Sequence, residues 1–239
     1  MLVLTLAAAA AGVAVAPWLR RSIERHAVPA GQAWRRTCVR CGAPRRARLP
    51  WTGRCPACGD RVGPPPGTVE ATAAVALGSV VPLAQAPLEL VAYVWVATLG
   101  VVLVYVDLAV HRLPDRLTLP AFGGAALFLT GTALLDGRPT AAGRALLAGL
   151  AAAAGYLLLM ALRPDGLGFG DVKLALTTGT VLGWHGVTSV VVGTAAGFLL
   201  SGLVAAALLA AGRVSRTTAL PHGPFMLLGT LVGLVLCPL

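Results

Sequence analysis

The chain of 239 residues has nine acidic residues, and two of them sit where a carboxylate could do chemistry. Asp107 closes an apolar run, Tyr105-Val106-Asp107-Leu108, and is followed by His111-Arg112-Leu113-Pro114-Asp115. Asp171 follows Gly166-Leu167-Gly168-Phe169-Gly170 and opens a segment of helical character that carries Lys173. An ionisable group at the edge of an apolar segment is costly and generally points into a polar cavity. Gly168 and Gly170 permit a sharp turn and the close approach of an extended strand, and the helix dipole favours a carboxylate at a helix N-terminus. Two carboxylates brought close together share a proton, because both cannot easily ionise. One then activates a water as general base while the other protonates a carbonyl oxygen. That is sufficient for peptide hydrolysis without a nucleophilic side chain or a metal. Each aspartate alone serves equally well as a helix cap or as a partner for Arg112, Arg116 or Lys173, and spacing does not show that the two meet.

The second set of reactive residues is Cys38-x2-Cys41 and Cys55-x2-Cys58, thirteen residues apart, with Gly42 and Gly59 directly after each pair. Each pair can place two thiolates on one ion, and four make the tetrahedral site preferred by structural zinc. All four positions would be filled by sulfur, so the expected role is structural. An insert with few large apolar residues needs such a staple to fold. Disulfides are the weaker reading on the cytoplasmic side. Cys237 reads as a small buried hydrophobe.

Composition dictates what must hold these residues. The chain is 57% hydrophobic and 12% charged, with a mean hydropathy of +0.81, roughly half the charged share usual for a soluble domain. Its apolar runs are Ala-, Leu- and Gly-rich, lack two-residue alternation and are long enough to cross a bilayer as helices. The expected fold is therefore an all-α polytopic membrane protein of about eight transmembrane helices with a small cytoplasmic zinc-ribbon-like insert. The expected spans are 2–18, 69–86, 88–106, 117–135, 145–162, a short stretch 172–184, a long run ending at 211, and 219–237. The domains read as a first helix 1–18, a four-cysteine zinc-binding insert 19–68 and a multi-span unit 69–239. Arg20, Arg21 and Arg25 follow the first apolar run rather than precede it, which is the reverse of a secretory signal. That run reads as an uncleaved first span with its N-terminus outside.

Charge gives an independent check on the threading. The net charge is +10, and eleven of the nineteen basic residues lie between Arg20 and Arg61. With the N-terminus outside, segments 19–68, 107–116, 163–173 and 212–218 fall inside and hold seventeen of the nineteen, leaving only Arg138 and Arg144 outside. Eight spans satisfy the positive-inside rule, and one span more or fewer scatters the bias. The basic cluster suits anionic lipid headgroups at the membrane surface, and no nucleic-acid partner is expected. Asp165 reads as a solvated loop residue.

With these motifs in view, the chain resembles the type IV prepilin peptidases, of the Gly-x-Gly-Asp class of membrane aspartyl proteases. The resemblance rests on Asp107 with Leu113-Pro114-Asp115 and Leu117-Thr118-Leu119-Pro120, on Gly168-Phe169-Gly170-Asp171-Val172-Lys173-Leu174, and on Leu220-Pro221-His222-Gly223-Pro224-Phe225. It runs from about residue 90 to the C-terminus, and His222 stands where the family more often has Phe. An insert with two Cys-x2-Cys pairs after the first span is a further similarity.

The resemblance implies that Asp107 and Asp171 are the catalytic dyad. Asp115 and Lys173 fall on motif positions and are expected, with Gly168 and Gly170, to support the site. It also implies cleavage of the basic leader from prepilin or pseudopilin precursors at the inner membrane, after a Gly just before the apolar helix. Many members then methylate the new N-terminus, so S-adenosylmethionine is a cofactor only if that activity is present. The insert here departs from the methylating pattern, being Arg-rich and lacking an Asn-Pro-Ser-like stretch before the cysteines. Presenilin-type enzymes, which pair Gly-x-Gly-Asp with Tyr-Asp, fit less well because Val106 separates Tyr105 from Asp107. A transporter or assembly protein is the alternative from another class, and it predicts carboxylates near the bilayer midplane rather than at span ends.

Overall fold

The computed structural model describes residues 1–44, 50–163, 166–215 and 217–238. Asp165 lies outside them. Among the described residues there are eight α-helices: α1 (Leu2–His26), α2 (Thr68–Val80), α3 (Pro87–Val110), α4 (Asp115–Leu135), α5 (Pro139–Leu162), α6 (Phe169–His185), α7 (Val187–Ala210) and α8 (Gly223–Leu236). The chain is an all-helical, multi-pass membrane protein. Helices α1, α3, α4, α5 and α7 are long and apolar enough to cross a membrane, whereas α2 and α8 are apolar but shorter.

Helix boundaries follow local chemistry. Prolines at the first turns of α3, α5 and α8 start those helices where a missing N–H costs nothing. Pro82 ends α2 in a single 3-10 turn, Val81–Leu83, consistent with the interruptions expected in the second span. Helix α1 runs on past the apolar stretch to His26, because Leu19 and Ile23 continue its inward stripe. Buried Arg20 closes the joint with α2: its guanidinium binds both Glu70 oxygens, at 2.8 and 2.5 Å, and the carbonyls of Pro64 and Pro65, each at 2.9 Å.

Small residues set the packing, as expected where lipid removes the usual hydrophobic drive between helices. A Cβ on Gly12 of α1 would meet the Ala73 carbonyl of α2 at 2.6 Å, and one on Gly229 of α8 would meet the Gly197 nitrogen of α7 at 2.6 Å. Gly179 of α6 lies comparably close to Ala148 and Ala152 of α5. The shortest helix of the multi-span unit apart from α2 and α8 is α6, and twelve of its seventeen residues are buried. It is the central post, surrounded by α4, α5, α7 and α8. Helices α5 and α7 turn most of their apolar surface outward, where lipid would cover it.

Candidate active site

Asp107 occupies the last turn of α3. That helix stops because His111 adopts a left-handed conformation (φ 48°) and its N–H returns to the Asp107 carbonyl at 2.8 Å. A short non-helical stretch, 112–114, follows, and the Pro114 carbonyl accepts the N–H groups of Leu117 and Thr118 and so starts α4. Asp171 sits in the first turn of α6. The Gly168 N–H donates to Asp171 Oδ2 at 2.8 Å, and the Asp171 N–H donates to the Gly168 carbonyl at 3.0 Å. This is a capping box in which a carbonyl replaces the usual hydroxyl.

The third motif closes the site. The Gly223 N–H, at the start of α8, donates to Asp107 Oδ2 at 2.9 Å, linking residues 116 positions apart. Both carboxylates are nearly sequestered, at 5% exposure for Asp107 and 7% for Asp171, on loops that meet through Leu113. Leu113 packs between the two loops. A Cβ on Gly170 would meet Leu113 Cβ at 2.8 Å, and one on Gly223 would meet Asp107 Oδ2 at 2.9 Å and Leu113 at 3.2 Å. Gly170 and Gly223 are therefore glycines for lack of room. Gly168 is not: its backbone is extended (φ −92°) and its nearest neighbour is an ordinary contact at 3.6 Å.

Asp115 and Lys173 meet each other. The Lys173 ammonium lies 2.5 Å from Asp115 Oδ1 and 4.7 Å from the centre of the Phe169 ring, joining the first turns of α4 and α6 on the outer side of the loops. On the inner side, Tyr156 of α5 reaches His222 Nε2 at 3.3 Å, and Phe198 of α7 packs on both rings. His222 precedes α8, and burial pushes it down to about 4, so its imidazole is neutral at ordinary pH. The sequence singles out the segment holding His222 and Gly223 but not its part in the site, since an N–H donor leaves no side-chain signature.

The insert docks at this same end. Arg112, next to Leu113, stacks on Trp34 with its guanidinium 4.7 Å from the ring centre and donates to the carbonyls of Val28 and Pro29. Within the insert two like turns face each other. The carbonyls of Cys38 and Cys55 accept the N–H groups of Gly42 and Gly59 at 2.9 Å, and both glycines take positive φ (68° and 73°). The four sulfurs lie within 4.8 Å of one another and form no disulfide, so the cluster could hold a metal ion. Backbone N–H groups of Cys41 and Arg40 draw Cys38 down to about 6, and those of Cys58 and Ala57 lower Cys55. The Asp60 N–H favours the Cys58 thiolate too, but burial and three thiol neighbours outweigh it and push Cys58 up to about 12. Four thiolates this close repel one another, and a central cation is what lets all of them ionise.

Two sequestered carboxylates, each bound by a glycine N–H at a helix end of an apolar bundle, fit the Gly-x-Gly-Asp class of membrane protein. The chain belongs to the type IV leader peptidase family, whose model matches residues 93–236. A prepilin leader peptidase/N-methyltransferase of Burkholderia pseudomallei (strain K96243) is 32% identical over 205 residues, covering 82% of this chain and 65% of the relative. Proteins of the same description from Aeromonas salmonicida (31% identity; 84% of this chain, 71% of the relative) and Escherichia coli strain K12 (26%; 70% and 70%) are also similar. The chain thus spans slightly less than two thirds of the Burkholderia protein's length. No solved structure gives a significant match.

Proposed function

We propose that this protein is an aspartyl endopeptidase that removes the basic leader from prepilin-like or pseudopilin precursors at the cytoplasmic face of the inner membrane. One observation carries the reading: two sequestered carboxylates, on loops that meet through Leu113, each retain oxygen lone pairs after accepting one backbone N–H among the described residues. In this reading Asp107 and Asp171 share one proton. The ionised partner takes a proton from water, and the protonated one donates to the carbonyl oxygen of the scissile peptide. Gly168 leaves room for an extended substrate strand, while Gly170, Asp115 and Lys173 hold the loops in register.

Charge supports a cytoplasmic orientation for this end: the insert docks on the loop after Asp107, and that end of the molecule carries the positive segments favoured inside by the positive-inside rule. A leader that is basic and a bond that precedes an apolar helix would rest at this level. The Arg-rich insert faces anionic headgroups. Its four cysteines hold zinc: a tetrahedron with zinc–sulfur bonds of about 2.3 Å has edges of about 3.8 Å, against 3.9 Å for Cys38–Cys58 and Cys41–Cys55. Zinc there is structural, since sulfur takes every position. N-methylation of the product, named in the relatives' descriptions, would require S-adenosylmethionine.

The test is cleavage of a precursor in membranes by the parent chain, Asp107→Asn and Asp171→Asn at matched expression. Both substitutions should abolish the shortened product while leaving the protein inserted. Cleavage by either variant at the parent rate would remove the dyad.

A further inference from the structure

A trough with a volume of about 500 Å³ runs along the outside of α3, walled by α2 on one side and α8 on the other. It follows α3 from Tyr93 to Val104 and α8 from Pro224 to Leu234, a length of about 15 Å at about 1.5 Å per residue. Its lining is apolar apart from Thr72, Ser79, Tyr93 and Thr230. Every one of those hydroxyls is engaged within the protein: Thr72 with Tyr105 at 2.9 Å, Ser79 with the Ala76 carbonyl at 3.0 Å, Tyr93 with Glu89, and Thr230 with the Met226 carbonyl at 2.8 Å. An occupant therefore meets hydrocarbon alone, and the small side chain of Ala97 on the α3 wall allows a guest helix to come close.

The position of the trough narrows the choice of guest. Val104 lies one turn before Asp107, and Pro224 follows Gly223, whose N–H holds the Asp107 carboxylate. One end of the trough thus abuts the site, and the rest leads away from it along the helices. The opposite flank of α3 is closed: the Trp95 indole donates to the Pro120 carbonyl of α4 at 2.8 Å, and its ring fills the space a side chain at Gly124 would need.

We infer that this trough seats the apolar helix of the precursor on the far side of the bond to be cut, an inference that rests on the leader-peptidase reading. The scissile bond must lie against the carboxylates while the residues after it stay in hydrocarbon. A helix lying on α3 between α2 and α8 meets both demands over about three turns. A lipid acyl chain would be content with the lining but has no need of a register against Asp107.

A photo-crosslinking residue at Ala97, in membranes holding the full chain and a precursor, is expected to capture the precursor's apolar segment. The same residue at Leu150, on the outward face of α5 and 56% exposed, should capture it several-fold less. In parallel, Ala97→Phe fills the floor and should raise KM for the intact precursor roughly tenfold. A soluble peptide carrying the leader and junction but no apolar segment should be cut by Ala97→Phe as by the parent. Equal capture from Leu150, capture of lipid alone from Ala97, or an unchanged KM for the intact precursor overturns the trough. If the parent cuts neither substrate, the leader-peptidase reading fails, and capture at Ala97 against Leu150 still decides the trough.

Discussion

Helices α3 and α6 each carry a buried acidic or acid-binding residue at both ends, and the two ends treat their carboxylates in opposite ways. At the end away from the insert, Glu89 is 1% exposed and fully employed. It accepts the Tyr93 hydroxyl at 2.5 Å, the Trp184 indole N–H at 3.1 Å and the Gln85 backbone N–H at 2.9 Å, with His185 at 3.9 Å. His185 in turn contacts Tyr93 and the Cys237 carbonyl, so α3, α6 and the C-terminus are locked together. At the other end, Asp107 and Asp171 each receive one backbone N–H among the described residues. A carboxylate has about four lone-pair sites. With three donors Glu89 is a clasp, whereas the two aspartates, with one each, have capacity left for further donors such as water. Burial does not separate the two ends, since all three acids are buried; the count of donors does.

The largest effect expected from this contrast comes from exchanging acid for amide at each end. Asp107→Asn or Asp171→Asn should lower cleavage by at least about 10²–10⁴-fold with little change in thermal stability in detergent. Glu89→Gln should do the reverse. It leaves a clasp with mismatched donors and should cost about 1–3 kcal/mol of stability, while cleavage per folded molecule persists. Loss of turnover in Glu89→Gln at full stability would erase the distinction between the two ends.

The glycines sharpen the comparison at the next level. Gly170→Ala drives a methyl into Leu113, and Gly223→Ala drives one into the Asp107 carboxylate. Each should cost about 1–3 kcal/mol, as overpacking does, and both should depress turnover. Gly168→Ala meets only an ordinary contact, so folding should be untouched. Any fall in its kcat/KM for a precursor then reports the approach of substrate rather than damage to the loop.

Much of this is legible in the sequence, and the reasons are specific. The helices are readable because a bilayer forces backbone hydrogen bonding into long apolar runs, and the eight helices found among the described residues match the eight expected. Asp107 and Asp171 stand out because so few acids compete with them. Their proximity is not legible, since it depends on Leu113 fitting between Gly170 and Gly223. Glu89 reads only as an acid near a span end, although Tyr93 one turn later hints at a partner on the same helix face. The docking of Trp34 under Arg112 has no sequence signal, because an aromatic in a polar insert points equally to solvent, lipid or protein.

The insert docks at the end that carries Asp107, so removing a metal ion held by its four cysteines should loosen that end and spare the clasp. Cys38→Ser or Cys55→Ser, or extraction with a strong chelator, should make residues 27–67 sensitive to protease while Trp184, beside Glu89, stays protected. A metal-to-protein ratio near one in the purified parent and near zero in the variants checks the assignment. Equal protease resistance with and without metal would show that the insert folds unaided.

His222 adds a pH dependence at the end that carries the two aspartates. Its folded-state value, near 4, lies below the ordinary 6.5 because burial disfavours the cation. The unfolded chain therefore binds the proton first, and stability falls as pH drops from 6.5 towards 4, then levels off below that. His222→Phe removes the proton site, so its melting temperature should rise relative to the parent across that window. Melting curves at the acid and neutral ends of the window check it.

The smallest effect belongs to Lys173 and Asp115. Their side chains are 20% and 59% exposed, and an ion pair in that setting contributes about 0.2–1 kcal/mol because water and salt screen it. Lys173→Met keeps the contact with Phe169 while deleting the charge, so melting temperature should hardly move. The pair joins the first turns of α4 and α6, next to Leu113 and Asp171 in the chain. Turnover should then fall more than stability does, and a charge-swapped Lys173→Asp with Asp115→Lys should recover part of it. If the swap recovers nothing while the single changes are severe, Lys173 acts on the substrate itself and the pair is not merely a brace.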